Sequence, residues 1–271
     1  MIKYIRCLQN DKNWSVDMGK TRVIQSIDKA INILELFKLS SRELSVKEIS
    51  EELQISKSTV FGLINTLSVR GFLHQNPDNQ KYSLGLALLE LGELVQKNNI
   101  IYEKARPHLE KVVNKLNVTM HLAIIEKAEV VYIDTLEGNK SIFISSRIGT
   151  RNPIYCTGVG KCMLAFMKKD KRDNILKNMG EMEKHTENTI VNMDEFLQEL
   201  DSIAKAGYSI DNEEFVTGIF CYAVPILNKY NEAIAAISIL RSMPIVKDLE
   251  RNEFIDIMKN VAREISIDLG Y

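Results

Sequence analysis

The sequence predicts an α+β protein in two parts: an N-terminal winged helix-turn-helix, a linker helix, and a C-terminal domain built on a mainly antiparallel sheet. Three observations carry this. Residues 44–84 place two separately capped short helices directly before a strand-turn-strand pattern. One apolar helical stripe follows at 84–95. Beyond it, runs of strand formers bounded by hairpin turns alternate with helical stretches, the pattern of an antiparallel sheet with segregated helices.

With 271 residues, 45% of them hydrophobic, the chain is long enough for two cores. It has no apolar run of the length a bilayer demands, so a cytoplasmic location with no membrane partner is expected. Four cysteines without a secretory signal are expected as reduced thiols. Charge is uneven: residues 1–85 hold 12 Lys and Arg against 9 Asp and Glu, leaving 23 against 27 for the remainder. That modest positive excess favours DNA at the N-terminal end, with useful affinity only as a dimer.

Residues 1–20, with Cys7 and Trp14 but no sustained period, are expected as a poorly ordered extension unlike a targeting peptide. Met18 is a candidate alternative start. The DNA-binding domain is expected over 21–85. Ile27, Ala30, Ile31, Leu34 and Phe37 recur at helical spacing, giving its first helix a face to pack. Ser45 with Glu48 forms a capping box, and Leu44 with Ile49 a hydrophobic staple, so a helix starts at Val46. Ser56 caps the next helix after a break at Gln54 to Ser56, with Ile55 and Val60 as staple. This second helix presents Lys57, Ser58, Thr59 and Asn65, side chains suited to phosphates and base edges in a major groove. Gly71 to Gln75 and Lys81 to Leu84 then read as the two strands of a wing, with Lys81 near its tip. Ser45, Lys57, Ser58, Thr59, Asn65 and Lys81 are the candidate DNA contacts. Two short amphipathic helices alone are commonplace in helical proteins; the caps and wing together are what favour double-stranded DNA.

A linker helix is expected over 86–100. Leu84, Leu88, Leu91 and Val95 form its stripe, with Ala87 and Leu94 beside it. The stripe meets either a second copy of the chain, as a two-fold homodimer, or the next domain. Over 101–271, Tyr102 to Leu116 reads as a helix. Met120 to Ile125, Val130 to Thr135 and Ile142 to Ser145 read as strands, and Met193 to Ala206 as a helix. Tyr208 to Asp211, Tyr222 to Leu227 and Ala233 to Leu240 add strands before a closing helix marked by Phe254, Ile257, Val261, Ile265 and Leu269. Small residues at Thr157-Gly158-Val159-Gly160, before a helix near Lys161, would leave helix N-terminal amides open to a small anion.

Several motifs, in order, resemble the IclR family of bacterial transcriptional regulators over Val23 to Asp268. They are Ser26-Ile27-Asp28-Lys29-Ala30, Ser58-Thr59-Val60, Tyr82-Ser83-Leu84-Gly85, Val130-Val131-Tyr132, Pro153 through Lys161, Gly207-Tyr208 through Glu214, and Gly218 through Ile226. The resemblance implies a GAF-like effector-binding domain and a dimer, or dimer of dimers (a homotetramer), on a palindromic operator. Repression is the commoner behaviour, with activation close behind it, under control of a small-molecule effector, a carboxylate. It also implies effector contacts at Gly158, Val159, Asp211, Cys221 and Ser238. The chain departs from its relatives at Leu240, where some carry a second serine, and at Gly62, where many carry arginine in the reading helix.

Other chemistries fit less well. Gly160-Lys161 is followed by Cys162 rather than Ser or Thr, so it does not end a nucleotide-binding loop. Cys156, Cys162 and Cys221 could serve a thiol redox sensor or enzyme; buried small hydrophobes are the plainer account. Their spacing, with His121 and His185, follows no metal-ligand pattern. No cofactor, metal or catalytic residue is expected.

Overall fold

The computed structural model describes residues 23–39, 43–138, 147–242 and 248–271. The N-terminal extension, the Met18 start and the expected strand Ile142 to Ser145 lie outside the described residues. The chain divides into two compact units, residues 1–96 and 97–271, each with its own core.

In the first unit, α1 (Gln25–Leu39), α2 (Val46–Leu53) and α3 (Lys57–Val69) precede β1 (Leu73–Gln75), β2 (Tyr82–Leu84) and α4 (Leu86–Lys97). The start of α2 follows from side-chain chemistry. The Glu48 amide donates to Ser45 Oγ at 3.2 Å while the Ser45 amide donates to Glu48 Oε2 at 2.8 Å, and Leu44 and Ile49 are both buried. Gln54 then takes a left-handed conformation, φ 53°, and Ser50 Oγ donates to the Ile55 carbonyl at 2.6 Å, closing the turn. Ser56 caps α3 through the Thr59 amide. The wing strands pair antiparallel, and Leu44 adds a bridge to Tyr82.

Two expectations in this unit need correction. Ile27 and Ile31 do not face the core: they are about half exposed, while Ile33 is fully buried beside Phe37. Helix α1 carries two apolar stripes at helical spacing, and packing on α2 and α3 selects the one through Ile33. Leu84 lies in β2 rather than on the linker helix, and α4 has no buried residue.

The second unit runs α5 (Ile100–Leu116), β3 (Thr119–Glu126), β4 (Glu129–Leu136), β5 (Arg151–Pro153), α6 (Gly158–Ala165), α7 (Lys169–Asn178), α8 (Met193–Ala206), β6 (Ser209–Asn212), β7 (Phe220–Leu227), β8 (Ala233–Arg241) and α9 (Asp248–Asp268). The six strands form one antiparallel sheet in the order β5-β4-β3-β8-β7-β6. Period-two alternation splits its residues between two cores. Met120, Leu122, Tyr222, Val224, Ile237 and Ile239 join Leu109 of α5 with Met258 and Ile265 of α9. Ala123, Ala223 and Ala236 face the other way, onto Val159, Cys162 and Met163 of α6 and Phe196 and Leu200 of α8. Small strand residues on that second face let α6 approach closely.

Helix α6 begins at Gly158, not near Lys161. A Cβ at Gly160 would stand 2.3 Å from the Ile154 carbonyl oxygen, so a residue without one lets the first turn fold back onto the chain leading into it. Helix α7 was not foreseen: its residues, rich in Lys and Asp, include none that is buried, so no apolar period marks it.

Candidate functional site

The exposed face of α3 gathers Lys57, Ser58, Thr59, Phe61, Gly62 and Asn65, while Val60 and Ile64 anchor the opposite face in the core. Its N-terminal turn therefore offers hydroxyls and one ammonium to solvent. Phe61, 59% exposed, was missed because an aromatic beside Val60 reads as core. Ser45 and Lys81 are committed within the unit: Ser45 completes the cap of α2, and Lys81 Nζ lies 3.4 Å from Glu48 Oε2. Those contacts hold the Glu48 carboxyl down at about 2, mainly through its bond from the Ser45 backbone. The wing turn is braced by Glu43, which accepts from the Asn76 and Asn79 side-chain amides at 2.9 and 2.7 Å.

In the second unit, strand register gathers residues far apart in sequence. Thr119, Leu240, Cys221 and Asp211 form one row across β3, β8, β7 and β6, and His121, Ser238, Ala223 and Ser209 form the next. Both rows face α6: a Cβ on Gly158 would lie 3.2 Å from Cys221 Sγ, and Ser209 Oγ donates to the Gly158 carbonyl at 2.6 Å. Asp211, Cys221 and Ser238 thus share one face with Gly158 and Val159. Thr157 turns its hydroxyl back to the Pro153 carbonyl and leaves the first turn of α6 without a side-chain cap, so this turn presents its positive end to the interior.

The polar groups there are deeply buried. Burial pushes the Asp211 carboxyl up to about 7, although it accepts from the Glu214 amide at 2.8 Å. His121, 1% exposed, is pushed down to about 4 by desolvation and stays neutral. Ser238 lies against the Cys221 thiol, whose pKa its hydroxyl lowers, while His121 Nε2 is buried with no hydrogen-bond partner among the described residues; such an unmet group costs on the order of 1–3 kcal/mol. Two residues here escaped the sequence reading. His121 follows no recognisable ligand spacing, and only its register opposite Ser238 places it. Lys161 is fully buried, its ammonium donating to Glu214, to Glu199 at 3.2 Å and to the Ile210 carbonyl at 2.9 Å. It ties α6 to α8 and to the segment carrying Asp211.

The thiol alternative fails on this geometry. Cys156, Cys162 and Cys221 are buried, and desolvation pushes all three thiols up, Cys221 to about 12; none offers a thiolate at neutral pH. Among the described residues no group of His, Cys, Asp and Glu could hold a metal ion, and no helix is long and apolar enough to cross a membrane.

A capped helix pair with a wing, followed by a sheet domain with helices on both faces and an interior polar site, defines a DNA-binding transcriptional regulator with a separate effector-binding domain. Comparison with known proteins agrees. Residues 26–77 match the IclR helix-turn-helix domain and residues 93–267 the bacterial transcriptional regulator IclR C-terminal domain. The HTH-type transcriptional regulator XynR of Escherichia coli K12 is 33% identical over 249 residues, covering 92% of this chain and 98% of the relative. KdgR of the same strain is also 33% identical, covering 92% and 94%, and the repressor AllR is 28% identical. The crystal structure of the Thermotoga maritima IclR superposes with a TM-score of 0.77 at 34% identity, covering 91% of this chain and 99% of that one. The chain belongs to the IclR family of transcriptional regulators.

Proposed function

We propose that this chain is a bacterial, cytoplasmic repressor that binds a palindromic operator as a homodimer, or as a dimer of dimers, and that a small carboxylate in its C-terminal domain controls that binding. The observation that carries the reading is the exposed polar face of α3, held between a capped turn and a braced wing. In this reading Lys57, Ser58 and Thr59 contact phosphates, Asn65 reads a base edge, and Phe61 is suited to a thymine methyl. Ser45 and Lys81 position α2 and the wing first and reach the backbone second. The apolar residues exposed on α1 and α4, among them Ile27, Ile31, Leu89 and Val95, supply a surface for a second copy, which sets two α3 helices on successive turns of the groove.

The effector lies with its carboxylate toward the first turn of α6, at Gly158 and Val159, between Asp211, Cys221 and Ser238. Leu240 in the Cys221 row removes one donor and makes the pocket less polar there. The ligand switches the operator only if it favours one dimer geometry; a tenfold preference is about 1.4 kcal/mol. The chemistry needs no catalytic step.

The test is selection of genomic fragments on the purified protein, followed by fluorescence anisotropy of enriched and shuffled duplexes across a salt series. Expected is one palindromic site bound at least on the order of a thousandfold more tightly than the shuffled control, with a salt slope of several units. Equal binding of all fragments at every salt concentration overturns the reading.

A further inference from the structure

Helix α9 divides its charges between two sides. Glu264 and Asp268 meet His108 of α5 at 3.0 and 2.7 Å. Lys259 and Arg263, four residues apart, instead line a cavity of about 450 Å³ where β7 runs out through Pro225 and Leu227 into the turn that carries Lys229. Like charges at that spacing repel on a helix. Lys259 is held in place: its ammonium donates to the Ala206 carbonyl at 2.8 Å and lies 5.4 Å from the centre of the Tyr208 ring. Lys229 and Arg263 have no carboxylate partner among the described residues. No Asp or Glu among those residues lines the cavity, and Glu232 of the same turn is bound by Lys168 at 2.9 Å. Even with a terminal carboxylate counted at Tyr271, which also lines it, two positive charges remain in excess. Cations gathered around one concavity, with no internal anion to offset them, favour an anionic ligand.

We propose that this cavity is a second small-molecule site and that it takes a phosphate monoester. The phosphoryl group sits among Lys229, Lys259 and Arg263, and the carbon part lies on Phe166, Pro225 and Leu227, the apolar portion of the wall. Charge selects the class. A monoester at neutral pH carries nearly two negative charges and three strong acceptor oxygens, enough for all three side chains. A carboxylate carries one charge, which the Arg263 fork alone satisfies. The volume is that of a pocket for a small ligand, and the apolar wall rewards an ester over inorganic phosphate. The site shares no residue with the effector site proposed above, because Val224 to Leu227 lie further along β7 than the row of Cys221 and Asp211.

The test uses the full chain and the variants Lys229→Gln and Arg263→Gln, whose side chains are exposed, so folding should be unchanged. Titration calorimetry compares phenyl phosphate with phenyl sulfate, which has the same shape and less charge, and with inorganic phosphate, which lacks the ring. Wild type should bind phenyl phosphate at least about tenfold more tightly than either, and each variant should weaken it by at least about tenfold, the loss expected for a charge-assisted hydrogen bond. Phenyl phosphate should also raise the melting temperature of wild type more than that of either variant. No binding of phenyl phosphate, equal binding of phenyl sulfate or inorganic phosphate, or binding unchanged in both variants overturns the proposal. The comparison of the three compounds on wild type stands even if a variant folds poorly. Anisotropy with a random-sequence duplex examines the other use of exposed cations: wild type and variants should show one salt slope, and a smaller slope in the variants assigns these side chains to DNA phosphates and overturns the proposal. None of these readouts needs the operator or the carboxylate effector, so they stand apart from the regulator reading.

Discussion

Replacing Lys161 with methionine removes the cation from a buried knot and leaves its carboxylates behind. The Lys161 side chain is 0% exposed, Glu214 6% and Glu199 33%, so Glu214 bears most of the loss. Its Oε2 already lacks a partner among the described residues. Removing one member of a buried pair costs about 3–5 kcal/mol, which in a unit of this size lowers the melting temperature by roughly 6–20 °C. Burial raises the Glu214 pKa above 4.5 and Lys161 is the main influence lowering it, so the substitution raises it further. The folded variant then holds a proton that the unfolded chain releases above pH 4.5, and its stability falls as pH rises through that window. Urea unfolding at pH 5 and pH 8 measures both effects. Adding Glu214→Gln should restore more than half of the loss by a double-mutant cycle, whereas Glu199→Gln, on the exposed partner, should change little. A loss below about 1 kcal/mol, equal at the two pH values, would falsify the claim that this ion cluster holds α6 in place.

Three further outcomes are expected. Asp211, raised from 3.8 to about 7 mainly by burial, makes the unit lose stability as pH rises between those values and lets the carboxylate proposed as ligand bind more tightly below pH 7. Asp211→Asn should flatten both profiles in urea titrations and calorimetry. In anisotropy, Lys57→Ala should weaken all operators alike and reduce the salt slope by about 0.9, while Asn65→Ala should cost about 1–3 kcal/mol at one base position; the same pattern from both would sink the division into phosphate and base contacts. Gly62→Ala should stabilise the N-terminal unit by about 1 kcal/mol, because a Cβ there meets nothing within 4 Å. A lower melting temperature would show that α3 depends on that glycine.

The two halves of the molecule differ in how far local chemistry determines them. Ser45, Glu48, Ser56 and Gln54 act within about one helical turn of themselves, so the starts of α2 and α3 and the bend between them were legible from the sequence. So was α8, where Phe196, Leu200 and Ile203 are buried at helical spacing. Helix α1 shows the limit of periodicity: stripes through Ile27 and Ile33 are equally regular, and only the neighbours that cover one of them decide. Helix α7 and strand β5 left no apolar signal because they bury little.

Of the proposed effector site, sequence reasoning reached the turn at 157–160 from its small residues and the strand residues only through resemblance. Asp211, Cys221 and Ser238 are each an unremarked strand residue until pairing aligns β6, β7 and β8, and His121 joins them only because β3 lies beside β8. Lys161 likewise becomes a buried clamp through Glu199, Ile210 and Glu214, up to 53 positions away. By itself the sequence determined the capped helix pair, the wing and the alternation of strands and helices, because caps, turns and periodicity act between near neighbours. Tertiary structure alone decided which stripe of α1 is core and which polar side chains meet beneath α6, because register and packing join residues that no local pattern connects.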